Sequence, residues 1–373
     1  MGSGRSLWIS LGDAGCAAGR IAGALTVRNW QFFLAALAVG LVAFIGARVI
    51  GNDYVYFAGY VVLQFVVLAT AWNILGGYCG YVNFGSAAFF AMGAYTTVAL
   101  SKFPRFSARY LPEGVNAVVE WIFPLPIPVL ILLGGLIAGL VGLGTGYLTL
   151  RLRGVFFAIA TLALAVVLQT LIVNWDYVGG SRGAYIIRPS VTEYFNINYV
   201  EYLFLIMLLL AIVALTVARS IERSQLGYGF ATIRDDEMAA EASGVPTLRL
   251  KLIATTLSGA FMGMAGAPLP YYIGYLEPAS AFGLAYAVNA IAMPMIGGTT
   301  SWVGPLLGAV LLGTLQQIAS VTISSAVSLL IVGLLLVFFV IIAPNGIIGL
   351  WHKFFPSKEP EVREREREAE GAA

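Results

Sequence analysis

Arg234, Asp235, Asp236, Glu237 and Glu241 fall within eight positions, in the stretch GYGFATIRDDEMAAEASGVP at 227–246. Acid–base or metal chemistry would require partners for these carboxylates. The one histidine, His352, lies beside the C-terminal tail, and the two cysteines, Cys16 and Cys79, are too far apart to form a metal-type pair. No His/Asp/Glu cluster that would serve an enzyme is present. The stretch reads instead as a short helix with marked ends. Asp235 and Asp236 suit a helix N-terminus, where carboxylates meet the positive end of the dipole. EMAAEAS continues with good helix formers, Gly244 fits the C-terminus and Pro246 forbids continuation. Gly227 and Gly229 make the approach flexible. The small residues Ala239, Ala240, Ala242 and Ser243 leave this helix slim enough to enter a socket. Its polar and apolar positions do not separate into two faces, which argues against a helix lying on a membrane surface.

The rest of the chain is apolar. Of 373 residues, 59% are hydrophobic and 11% charged, and mean hydropathy is +0.87. A soluble domain carries about 25% charge, so this chain lacks the means to cover a water-facing surface. The expected fold is an all-α polytopic membrane protein of about ten transmembrane helices with a short cytoplasmic coupling helix. A spanning helix needs about 20 mostly apolar residues. Ten segments qualify: 31–50, 54–76, 81–101, 124–150, 154–175, 199–218, 250–275, 283–297, 303–321 and 324–343. The eighth is short enough to be broken or re-entrant. Counted by side, fifteen Lys and Arg residues fall with both termini and the 227–246 stretch, against six (Arg48, Lys102, Arg105, Arg109, Arg182 and Arg188) on the other side. The positive-inside rule therefore makes both termini and the acidic stretch cytoplasmic. The expected division is a cytoplasmic segment at 1–30, a permease-like membrane domain at 31–350 with its loop at about 226–246, and a charged cytoplasmic tail at 351–373. No basic stripe for nucleic acid is present. The N-terminus is not a signal peptide, because Asp13 and Arg20 interrupt any apolar region. MGSGRS reads as a chance match to the myristoylation pattern.

In this drawing no carboxylate lies clearly within a span, which weakens the case for proton-driven transport. None of the four lysines, Lys102, Lys251, Lys353 and Lys358, follows a glycine, so no phosphate-cradling loop is present. Any ATP that drives the chain is then bound by another polypeptide. Small residues crowd GGYCGYVNFGSAAFFAMGAYTT at 76–97, as tight helix packing requires. The same stretch also suits a helix break that opens Asn83 and Ser86 to a solute path. Position in the spans adds Gln169 and Asn289 as pathway candidates. A short echo links Gly76-Gly77 and Tyr81-Val82 to Gly297-Gly298 and Trp302-Val303, and hints at an internal repeat.

From about Gly59 to Leu350 the chain resembles the permease subunits of branched-chain amino acid ABC importers, the LivM-type family. The resemblance is carried by GYVNFGSAAFFAMGAYTTVAL, LRLRGVFFAIATLALA, ATIRDDEMAAEASGV with KLIATTLSGAFMGMAGA, MIGGTTSWVGPLLGA and APNGIIGL, in that order. It implies that the helix containing Arg234, Asp235, Asp236, Glu237, Glu241 and Gly244 sits in a groove of an ATP-binding subunit and transmits ATP-driven closure. It also implies two ATP-binding subunits, with ATP-Mg bound there and no cofactor in this chain. A second homologous permease subunit, an extracytoplasmic solute-binding protein and a bacterial-type inner membrane follow from the same resemblance. Outer loops 102–123 and 176–198 would meet the binding protein. The chain departs from the family pattern at Ser86, where many members carry His, and at Arg182 in VGGSRGAYI, which stands in place of an acidic residue. Related permeases move urea, amides or other amino acids. The alternative from the residues alone is an ion-coupled secondary transporter of a small polar solute.

Overall fold

A computed structural model describes residues 29–110, 112–187, 198–322, 325–342 and 346–354. The segment 1–28, the stretch 188–197 with Arg188, and the tail 355–373 lie outside the described residues. The helices, in order, are α1 (Asn29–Ile50), α2 (Asp53–Gly76), α3 (Ser86–Tyr110), α4 (Glu113–Ile122), α5 (Ile127–Thr149), α6 (Val155–Val173), α7 (Tyr199–Glu222), α8 (Gln225–Asp235), α9 (Glu237–Ala242), α10 (Thr247–Gly266), α11 (Leu269–Ile273), α12 (Pro278–Ala281), α13 (Leu284–Gly297), α14 (Val303–Thr322), α15 (Ser325–Ile342) and α16 (Gly346–Phe354). Two short strands, β1 (Ala184–Tyr185) and β2 (Tyr275–Leu276), pair antiparallel with Ala184 opposite Leu276.

Among the described residues, eight segments are long and apolar enough to cross a membrane: α1, α2, α5, α6, α7, α10–α11, α12–α13 and α14. The other two expected spans coincide with α3 and α15. Long apolar helices form here because a bilayer offers no water to the backbone, and a helix satisfies its own N–H and C=O groups.

The connections gather at two ends. At one end, the Tyr177 hydroxyl donates to the Ala99 carbonyl (2.7 Å), that of Tyr199 to Tyr271 (3.3 Å) and that of Tyr54 to Gln317 (3.4 Å), alongside the β1–β2 ribbon. At the other end, Glu222 accepts from Trp302 (2.8 Å), and a Cβ placed on Gly346 would touch Gly298. The first turn of α1 lies at this second end. The Phe32 ring sits 4.0 Å from the Arg219 guanidinium and edge-on to Trp302 at 4.8 Å. The start of α1 and the start of α16 are thus on the same side of the bundle.

Two expectations about boundaries change. The third span does not begin at residue 81, because 77–85 is irregular and α3 starts only at Ser86. Nor is 102–123 a loop. Phe106 packs edge-on to Tyr177 (5.5 Å) and Phe103 lies 5.5 Å from Phe123. These rings carry α3 past its apolar run to Tyr110, and α4 follows. The eighth segment is neither broken nor re-entrant: α13 (Leu284–Gly297) is one helix, and the interruption at 282–283 separates it from α12. With α12 it runs from the end that carries β2 to Gly297, beside the loop at 298–302 at the opposite end.

The core is built on close backbone approach. On α5, Gly135, Gly139, Gly142 and Gly146 recur at helical spacing and face α10. A Cβ on Gly142 would lie 3.1 Å from the Thr255 carbonyl oxygen, and one on Gly139 3.2 Å from the Ala260 Cβ. A Cβ on Gly263 of α10 would meet Ala138 and the Gly134 carbonyl. Lipid supplies no hydrophobic drive between helices, so such dispersion contacts hold them together. The α5–α10 pair is consequently a stiff unit. The central helix α2 opens with Asn52, whose side chain accepts from the Tyr54 N–H at 2.9 Å, and α2 packs against α7, α10, α13 and α14. By contrast α6 turns Phe156, Ile159, Val166 and Leu171 outward.

Candidate functional site

The 225–246 stretch contains two helices, not one. Ser224 opens α8 by accepting from the Gly227 N–H. Both glycines lie inside this helix. A Cβ on Gly227 would strike the Ile221 carbonyl, and one on Gly229 would lie 2.8 Å from Leu250 Cδ1. They permit close packing and do not act as a flexible approach. Phe230 and Ile233 anchor α8 from beneath, both buried.

Asp236, in extended backbone, ends α8 and caps α9. Its carboxylate accepts from the N–H groups of Met238 (2.8 Å) and Ala239 (3.1 Å). Only this one of the two aspartates serves a helix start. Asp235 is the last residue of α8 and pairs with Arg234 at 3.4 Å. Gly244 stops α9 in the left-handed region at φ +83°, where L side chains are strained. The Val245 N–H reaches back to the Ala240 carbonyl at 3.0 Å, as a C-terminal cap requires.

The charges then divide by direction. Glu237 points inward. It accepts from the Lys251 ammonium at 2.6 Å and from the Tyr81 hydroxyl, with the Arg153 guanidinium 3.5 Å away. Burial alone pushes the Glu237 carboxyl up, but the hydrogen bonds from Lys251 and Tyr81 and the two positive charges outweigh it. The carboxyl is held below the ordinary carboxylate value. Burial, and then the Glu237 hydrogen bond, pushes the Tyr81 hydroxyl up. Glu241 is tied on both oxygens, to Arg153 at 3.1 Å and to the Thr247 hydroxyl at 2.8 Å. Arg153 also donates to the Met238 sulfur at 2.7 Å. Arg234 reaches the Gly77 carbonyl at 3.5 Å and packs its stem on Gly80. Two of the four carboxylates, Glu237 and Glu241, thus fasten the module to the bundle. The outward surface carries Tyr228 at 71% and Met238 at 62% exposure, with Asp235 and the small residues Ala239, Ala242, Ser243 and Gly244 exposed as well.

The pathway candidates do not form one group. Asn83 lies in the break before α3 and Ser86 is the first residue of α3, both buried. Asn83 Oδ1 accepts from the Gly85 N–H at 2.7 Å, while its amide nitrogen and the Ser86 hydroxyl have no hydrogen-bond partner. Asn289 on α13 accepts from Gln316 of α14 at 2.9 Å. Gln169 is half-buried on α6. Arg182 is exposed, and its carbonyl accepts from the Tyr275 hydroxyl at 2.6 Å.

Sequence reasoning missed the residues that hold the module. Lys251 counted only as a positive charge beside an apolar run, and Tyr81 only as part of an echo. A signal was available, since Lys251 is one of only four lysines and falls inside the seventh spanning segment as drawn, 250–275. The echo itself has a structural counterpart. Each Gly-Gly pair ends a helix, and a Cβ on Gly77 would lie 2.6 Å from the Thr299 carbonyl. The two loops abut.

A model of the permease component of branched-chain amino acid transport systems matches residues 54–340. The chain is 28% identical to the high-affinity branched-chain amino acid transport system permease protein LivM of Salmonella typhimurium, over 82% of this chain and 71% of that one. It has the same identity and coverage with LivM of Escherichia coli. It is 20% identical to LivH of Salmonella typhimurium, over 76% of this chain and 91% of that protein. No solved structure matches.

Proposed function

Because this chain belongs to the family of branched-chain amino acid transport permeases, and so is a membrane permease subunit of an ABC importer, we propose that it passes branched-chain or related amino acids and is worked by partner ATPases through residues 225–246. Its family transports and does not catalyse. In this reading ATP-Mg is held by two ATP-binding subunits, and the chain has no ATPase site of its own. A second permease subunit completes the pathway, and a binding protein delivers solute to the end that carries the β1–β2 ribbon and α4. The 225–246 end faces the cytoplasm of a bacterial-type inner membrane, together with both termini.

The observation that carries this reading is the split in the module. Glu237 points inward to Lys251 and Glu241 is tied to Arg153 and Thr247, while Tyr228 on α8 and Met238 on the slim, capped α9 stand exposed. Exposed apolar side chains among small residues suit insertion into a partner groove. Binding of ATP draws the ATPases together, α9 moves with them, and the bundle passes between outward-open and inward-open states. Those states must hold the module differently for ATP to shift their populations. Asn83 and Ser86 are the favoured pathway groups, because their buried and unpartnered donors are free to meet new partners in another state.

The test is reconstitution of the chain in liposomes with both ATPases, the partner permease and the binding protein, followed by uptake of labelled leucine. Uptake that requires ATP supports the reading, as does a Met238→Glu chain that loses its ATPases on purification. Accumulation by the chain alone along a sodium or proton gradient, without ATP, contradicts it.

A further inference from the structure

Lys251 lies in the second turn of α10 and is 2% exposed. Its ammonium has three protons and three acceptors: Glu237 at 2.6 Å, the Tyr81 hydroxyl at 3.2 Å and the Leu150 carbonyl at 3.3 Å. Glu237 stands at the first position of α9 with its side chain 13% exposed. Four stretches of the bundle therefore converge on the Glu237–Lys251 pair, three at the carboxylate and Leu150 at the ammonium. They are the break before α3 through Tyr81, the end of α5 through Leu150, the following loop through Arg153, and α10 through Lys251.

We propose that the Glu237–Lys251 pair is a strut that passes displacement of α9 into the α5–α10 unit, making both residues positioning residues for transport. Neither touches the ATPase or the solute. The inference rests on the coupling reading above and deepens it. The physical argument has two parts. A charged pair with every hydrogen bond satisfied, in a site poor in water, cannot separate cheaply, because each partner would be left as an uncompensated buried charge. A movement of Glu237 therefore takes Lys251 with it. Lys251 in turn cannot move without α5, because glycine-to-backbone contacts lock α10 to α5 along their length. The covalent link from α9 to α10 is weaker for this purpose. It passes through Gly244 and Pro246, and Gly244 has nothing within 4 Å of its Cβ position.

The test uses the full reconstituted transporter and reads leucine uptake and ATP hydrolysis in the same vesicles, with ATPase retention and melting temperature measured on the same preparations. The variants are E237Q, K251M and the double neutral E237Q/K251M. Removing both charges together leaves no buried charge uncompensated; the Leu150 carbonyl loses its donor, and the melting temperature reads that cost. The expected result is retained ATPases and continued hydrolysis, with uptake per ATP lowered by about tenfold. A merely structural role would lower melting temperature and assembly and leave that ratio alone. A double variant with uptake per ATP within about twofold of the wild-type ratio overturns the strut. Should the neutral variants lose their ATPases, Y81F carries the test. It removes one hydroxyl from the pair and keeps both charges, and it supports the strut by a lower ratio and overturns it by an unchanged one. Failure of the coupling reading looks different, since ATPases would then bind wild-type and Met238→Glu chains alike.

Discussion

The backbone N–H of Trp302 donates to the Glu222 carboxylate at 2.8 Å, and the Tyr78 hydroxyl donates to the same oxygen at 3.4 Å. The last residue of α7 thereby clamps the loop after α2 to the loop before α14. Glu222→Ala leaves a half-buried N–H and a hydroxyl without their acceptor, which costs about 1–3 kcal/mol. Thermal unfolding of the purified chain should show that loss for Glu222→Ala and a smaller one for Glu222→Gln, which keeps an acceptor. Equal stability of Glu222→Ala and wild type would show that the clamp contributes nothing.

The α5–α10 contact makes a second prediction. A Cβ at Gly263 would overlap Ala138 and the Gly134 carbonyl, whereas at Gly144 it meets nothing within 4 Å. Gly263→Ala should destabilise the chain by about 1–3 kcal/mol through overpacking. Gly144→Ala should be neutral or slightly stabilising, as a helix-interior glycine replaced by alanine usually is. Comparison of melting temperatures of the two variants checks the contact.

A third prediction concerns pH. Glu237 has its carboxyl below the ordinary value of 4.5 in the folded chain. A carboxylate depressed on folding contributes stability that is complete above its unfolded pKa and is lost as pH falls through its folded one. The stability difference between wild type and E237Q should therefore be flat from neutral pH down to about 5 and close only below about 4. A difference that already shrinks between pH 7 and 6 would mean that Glu237 is not held by Lys251 and Arg153.

Much of the fold was legible because a membrane span announces itself by length and apolarity alone. The ten apolar segments correspond to ten helices, and Gly244 and Pro246 mark the end of α9 as written. What was not legible depends on tertiary contact. Gly227 and Gly229 suggest flexibility in isolation, yet Ile221 and Leu250 press against them and make a helix of the segment. Asp235 and Asp236 look equivalent, but only Asp236 turns its carboxylate to free N–H groups. Glu237 and Glu241 look like solvated charges until Lys251, fourteen residues later, and Arg153, from another loop, come into range. α3 outlasts its apolar run because Phe103 and Phe106 find Phe123 and Tyr177, partners that no local pattern reveals.

The outward face of α9 gives a fourth prediction and the clearest test of whether this module meets the motor from inside the cell. Burial pushes the Cys79 thiol up to about 12, so it is unreactive near neutral pH, and Cys16 can be replaced by serine. In such a chain, Met238→Cys offers one exposed thiol for a membrane-impermeant maleimide. Labelling should occur in inside-out vesicles, fail in right-side-out ones, and fall when the ATPases are bound. Labelling from the outside, or labelling indifferent to the ATPases, would contradict the account.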